Sequence, residues 1–168
     1  MGARDWTDRT LEGLDPGLEL EPYQVTARIS RMALHIARHQ EEVFGRFGLN
    51  RGEVGVLNAL RAAGPPNQLS PTSLFKGLML SSAGITSRLD RLERRGLVRR
   101  TRHPSDRRGV LVDLTDDGRS VLNEAVAANT RTERELLAGL DAHEVEDLAA
   151  LLKKLLYSFE AGGEDAAG

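Results

Sequence analysis

Nine arginines fall between Arg88 and Arg108, at 88, 91, 94, 95, 99, 100, 102, 107 and 108, against three acids, Asp90, Glu93 and Asp106. That stretch carries +6 in a chain whose net charge is −2, so the remaining residues carry −8. A basic block inside an acidic chain is the electrostatic footprint of a surface for a polyanion. A solvated helix face would give the same count, because the chain uses 20 arginines and only three lysines. The residues before the block favour the polyanion. Ser81, Ser82, Ala83, Gly84, Thr86 and Ser87 are small and mostly polar, which suits close approach to a major groove about 12 Å wide. Arg88 and Arg91 follow where phosphates or guanine edges would lie. Arg107 and Arg108 sit in the turn-rich segment His103-Pro104-Ser105-Asp106-Arg107-Arg108-Gly109, where a narrow minor groove would attract them.

Other chemistries find little support. With no cysteine, the chain has no disulfide framework, thiol nucleophile or cysteine metal site. His35 and His39 have the i, i+4 spacing of a zinc pair, but no third ligand accompanies them. Asp113, Asp116 and Asp117 make a poor metal trio, since the last two suit a helix start. No phosphate-binding glycine loop, Gly-x-Ser-x-Gly elbow or well-placed carboxylate pair occurs. The expectation is therefore no enzyme, no metal and no cofactor.

These residues need a scaffold, and 168 residues suggest one domain at about 150 per domain. No apolar run approaches the ~18 residues of a membrane span, and Met1 to Trp6 lack the apolar stretch of a signal peptide. The expectation is a cytoplasmic protein without a membrane partner. Residues 1–22 read as an extension with one helical turn around Asp8 to Leu14, for which Trp6 is the natural anchor. An apolar stripe at helical spacing predicts a helix from Tyr23 to Phe47, ended by Gly48. A second helix runs from Asn50 to Ala63, with Asn50 and Glu53 as a capping box. Gly64-Pro65-Pro66-Asn67 is a breaker.

A short helix then runs from Pro71 to Gly77, capped by Ser70, and a fourth from Ser82 to Arg95 with Ile85, Leu89 and Leu92 inward. The period changes at Leu97. Residues 97–102 and 110–114 read as a β-hairpin. Thr115 caps a long helix reaching about Leu140, and Asp141 caps a last one from Ala142 to Phe159. Residues 160–168 read as a flexible acidic tail.

The fold class is thus mainly α with a small β-hairpin wing. A short helix, a turn, a second helix and a hairpin form a winged helix-turn-helix arrangement. Ser70 to Gly118 resembles the DNA-binding core of the multiple antibiotic resistance regulator (MarR) family. The resemblance is carried by Thr86, Arg88, Leu89, Asp90, Leu92 and Glu93 on the fourth helix, and by Asp106-Arg107-Arg108, Leu114-Thr115 and Gly118 around the hairpin. It extends over about residues 23–158, and the run GPPNQLSPTSL is most similar to actinobacterial members.

The resemblance implies a homodimeric transcriptional regulator, with 23–47 and 120–159 as dimerisation helices and 50–118 as the DNA-binding lobe. Its partners would be double-stranded DNA carrying a pseudo-palindromic operator and a small-molecule effector that relieves repression. The implied DNA-binding residues are Ser70, Thr72, Ser81, Ser82, Ala83, Thr86, Ser87, Arg88, Arg91, His103, Asp106, Arg107 and Arg108. Arg108 matches the arginine that enters the minor groove, and Asp106 the acid that orients the wing. The urate-responsive subgroup has an acid where this chain has Gly55 and a tryptophan near Leu11, so the ligand residues are left unassigned. A winged-helix module using its basic face on an acidic protein is the alternative, because fold does not fix function.

Overall fold

A computed structural model of the chain describes residues 4–15, 17–78, 82–105 and 109–164. It divides into two compact units, Met1–Val126 and Ala127–Gly168. In chain order the elements are α1 (Trp6–Leu11), α2 (Glu21–Gly45), α3 (Arg51–Ala62), β1 (Gln68–Leu69), α4 (Pro71–Gly77), α5 (Ser82–Arg94), β2 (Val98–Arg102), β3 (Val110–Leu114), α6 (Asp116–Leu136) and α7 (Ala142–Glu164).

The core of the first unit is built from one stripe of each element. Val56, Leu57 and Leu60 of α3, Leu74 of α4, Ile85, Leu89 and Leu92 of α5, Val98 of β2, Val112 of β3 and Leu122 of α6 are almost fully buried. The i, i+4, i+7 spacing on α5 puts all three of its core residues on one face. Burying a leucine-sized side chain contributes about 1.5–3 kcal/mol, so this cluster holds α5 against the lobe and leaves Thr86, Ser87 and Asp90 exposed.

The sheet has the order β1-β3-β2 and is antiparallel. Val98 pairs with Leu114 and Arg102 with Val110 across β2 and β3, and Leu69 pairs with Val112 across β1 and β3. The hairpin boundaries agree with the sequence pattern to within one residue, β2 starting at Val98 rather than Leu97. β1 does not appear in that pattern, since two residues are too few to show a period.

Helix ends account for the other differences. α1 covers Trp6–Leu11 rather than a turn from Asp8 to Leu14. Asp5 accepts the Asp8 N–H and Asp8 accepts the Asp5 N–H, a reciprocal capping box at the helix start. α1 lies on α2: Arg28 Nε is 2.8 Å from Asp5 and its Nη2 is 2.5 Å from Asp8, while the Arg31 guanidinium lies 4.9 Å from the Trp6 ring centre. The Asp8 backbone N–H holds Asp5 below the ordinary carboxylate pKa, helped by Arg28 against partial desolvation.

α6 ends at Leu136 rather than near Leu140. Its last turn tightens, with Ala138 donating to Glu135 and Leu140 to Leu137 at i, i−3 spacing, and Gly139 disfavours continuation. In the second unit, Asp141 and Glu144 cap α7 reciprocally. α7 runs to Glu164, five residues past the expected end at Phe159. The part of the expected tail at 165–168 lies outside the described residues. Leu151, Leu152, Leu155, Leu156, Tyr157 and Phe159 of α7 are exposed, as are Val25, Met32, Leu34 and Ile36 of α2. No helix among the described residues is long and apolar enough to cross a membrane.

Candidate nucleic-acid interface

The interface is built around the two faces of α5. Ile85, Leu89 and Leu92 are buried, and Thr86, Ser87 and Asp90 lie on the exposed side. Ser82 and Ala83 fall in the first turn of α5, and Ser81 lies outside the described residues. Next to α5, Ser70 caps α4: its Oγ accepts the Ser73 N–H at 3.0 Å. Pro71 then starts α4 where an N–H would have no partner. Thr72 is exposed and shares a shallow groove with Phe75, Ile85 and Thr86.

The hairpin is fixed to α5 by Arg100. Its Nη1 donates to Glu93 and its Nη2 to Asp90, each at 2.6 Å, and its backbone N–H donates to Glu93 at 3.0 Å. Partial burial alone would disfavour the Arg100 cation, but the hydrogen bonds to Asp90 and Glu93 outweigh it and hold its pKa above the ordinary value. At the tip, the His103 N–H donates to Gly109 at 2.9 Å, and His103 Nδ1 lies 3.3 Å from both the Ser105 N–H and hydroxyl. Asp106, Arg107 and Arg108 lie outside the described residues.

Arg88 and Arg91, expected from the sequence to face phosphates or guanines, are both engaged with the protein. Arg88 Nη1 donates to the Gly84 carbonyl at 2.8 Å, one turn back on its own helix. Its guanidinium lies over Gly52 of α3, where a Cβ would overlap it. Arg91 Nε stands 2.9 Å from the buried carboxylate of Glu53, and its Nη2 donates to the Gly48 carbonyl at 3.1 Å. Arg95 adds bonds to Gly48 and Phe47 carbonyls at 2.5 and 3.0 Å. Gly48 can present its carbonyl this way because it has φ +67°, the left-handed helix end that glycine favours. The nine-arginine block is therefore partly structural, since Arg99 also reaches Asp113 at 3.3 Å.

Two further positions support this geometry: Asn67, which sequence reasoning read only as part of a breaker, and Gly118, which it read only as part of the family pattern. Asn67 is buried with φ +60°. Its Nδ2 donates to the Leu60 and Arg61 carbonyls at the end of α3, and its Oδ1 accepts from Arg119 of α6 at 2.7 Å. A Cβ on Gly118 would overlap the Leu97 backbone carbonyl, so α6 starts hard against the base of the hairpin. Asparagine is among the residues most tolerant of a left-handed conformation, a signal already present in Pro65-Pro66-Asn67.

Residues 47–109 match the model of the MarR family. The chain is 37% identical over 140 residues to the HTH-type transcriptional regulator PecS of Dickeya dadantii (strain 3937), covering 83% of this chain and 84% of that one. The chain belongs to the MarR family. The family and its named relatives are transcriptional regulators, not enzymes. A cysteine-to-serine mutant of MarR from E. coli, solved in complex with operator DNA, is similar at TM-score 0.70 and 30% identity over 85% of this chain and 99% of that one. Sco3205 of Streptomyces coelicolor, a MarR-family regulator solved in complex with DNA, is similar at TM-score 0.72 and 25% identity, covering 87% of this chain and 92% of that one.

Proposed function

We propose that this MarR-family chain is a homodimeric regulator that binds a pseudo-palindromic operator in double-stranded DNA and represses until a small molecule relieves it. The observation that carries the reading is α5, whose aliphatic residues fill the core while Thr86 and Ser87 lie on an exposed, small-residue face. The first half of α5, with Ser82, Ala83, Thr86 and Ser87, lies in the major groove together with Ser81 ahead of it in sequence, and the start of α4, with Ser70 and Thr72, meets the backbone. The hairpin tip, with His103 and Asp106 to Arg108, enters the minor groove. The two relatives solved with DNA support the DNA-binding reading.

The dimer follows from apolar surface. Exposed aliphatic and aromatic residues on α2 and on α7 make patches that soluble monomers rarely carry. A second copy covering them gives two lobes and half-sites about 10 bp apart. The protein then works in the cytoplasm with its DNA, and the effector acts by favouring a lobe spacing that no longer fits both half-sites. Fluorescence anisotropy against promoter duplexes tests the reading. Sequence-dependent affinity with a steep salt slope supports it, and affinity that ignores sequence refutes it. Arg108→Ala should weaken operator binding by about 1–3 kcal/mol per half-site without lowering thermal stability.

A further inference from the structure

Among the arginines of α5, Arg91 has the least ordinary partner. Glu53 is fully buried, at 0% exposure. One of its oxygens accepts the Asn50 N–H at 3.0 Å as the capping box of α3, and the other stands 2.9 Å from Arg91 Nε. The contact is an ion pair without hydrogen-bond geometry and the Arg91 side chain is half exposed, yet a buried carboxylate stripped of its counter-charge is strongly destabilising, so swinging Arg91 out to a phosphate would leave Glu53 uncompensated. The same guanidinium donates to Gly48, which also receives Arg95. The second half of α5 is thereby fastened to the turn between α2 and α3, while Thr86 and Ser87 in its first half are exposed. The axial rise of about 1.5 Å per residue puts Arg91 about 7.5 Å along the helix from Thr86, so a small tilt at the fastened end displaces the reading end.

We infer that Arg91 is a positioning residue, anchored by buried Glu53, that sets the angle at which α5 enters DNA and so governs discrimination between sequences without touching the duplex. This rests on the DNA-binding reading above. The alternative role for an arginine in this place, a direct phosphate contact, makes the opposite prediction for Glu53.

The test uses the full chain and a duplex that the wild-type protein selects from a random library, beside a scrambled duplex of equal length, each titrated by anisotropy over a range of KCl concentrations. Glu53→Gln keeps the shape and the capping hydrogen bond, so it reports on the pair even if Arg91→Met folds poorly. Each variant should lose about ten-fold or more on the selected duplex, a shift of about 1.4 kcal/mol. Affinity for the scrambled duplex and the salt slope should be unchanged, and the double variant should be no worse than the worse single one.

Three results would overturn the inference. In the first, the salt slope of Arg91→Met drops by about one unit with equal losses on both duplexes, the signature of a phosphate contact. In the second, Glu53→Gln binds tighter because Arg91 has been released. In the third, either variant keeps wild-type affinity and discrimination. If the wild-type protein selects no sequence at all, the regulator reading fails first and this inference goes with it.

Discussion

Replacing Asn67 by alanine should destabilise the lobe far more than a single residue in a proline-rich turn suggests. Its amide donates to Leu60 and Arg61 at 3.3 and 3.2 Å, long bonds worth about 0.5 kcal/mol each. Its carbonyl accepts from the Arg119 cation at 2.7 Å, a charge-assisted bond of about 1.5 kcal/mol at the lower end of its range. Holding alanine at φ +60° costs about 1 kcal/mol more. The sum is about 3.5 kcal/mol, and partial access of water to Arg119 brings it to about 3 kcal/mol. At this chain length that lowers the melting temperature by roughly 6–12 °C. Urea unfolding followed by circular dichroism, at one fixed protein concentration so that dimerisation does not confound the comparison, measures it. Asn67→Gly separates the parts, since it restores the backbone freedom and should cost about 1 kcal/mol less than alanine. A loss under about 1 kcal/mol for Asn67→Ala, or a glycine variant no better than alanine, would refute the assignment of Asn67 as the tie between α3 and α6.

Gly118→Ala places a methyl against the Leu97 carbonyl, a backbone atom that cannot retreat, and should cost about 1–3 kcal/mol. Gly52→Ala meets only the end of the Arg88 side chain and gains helix propensity, so thermal melts should rank it well above Gly118→Ala. Arg100→Ala removes the tie between hairpin and α5; with its partners half exposed the cost in stability should stay near about 1 kcal/mol, while hydrogen exchange at the residue-100 amide, bonded to Glu93, speeds up. Asp5 has a pKa lowered in the folded state, so its contribution to docking α1 is present above its ordinary value of 3.8 and is lost as pH falls through the lower folded value. Emission from Trp6, the single tryptophan, should report that undocking on acidification, and Asp5→Asn should show it at neutral pH. A flat emission profile in the wild type would refute the Asp5–Arg28 latch.

Much of the architecture was legible in the sequence because it rests on local rules. The Asn50/Glu53 box, Ser70-Pro71 and the stripe Ile85, Leu89, Leu92 each mark a helix through its own chemistry. The change of period at Leu97 marks the hairpin. What escaped depends on contacts distant in sequence. β1 exists only because β3 pairs with it. The roles of Arg88 and Arg91 were harder still. An arginine following a small-residue helix face reads the same whether or not it has a partner within the protein, and the buried Glu53 and the bare Gly52 backbone that supply those partners lie far off in sequence. Charge counting registers arginines; it does not register their partners.

The pairing of β1 with β3 has a practical consequence for protein engineering. The hairpin resembles a detachable module, yet its returning strand β3 is completed by Leu69 from ahead of α4, and Leu114 donates its N–H back to Asn67. A graft cut at Pro71 would carry the reading helix and the hairpin but leave β3 with a bare edge, open to pairing with another chain. A chimera that exchanges operator preference between two such proteins should take its upstream crossover before Asn67, in the Gly64–Pro66 breaker, and its downstream crossover beyond Arg119, within α6.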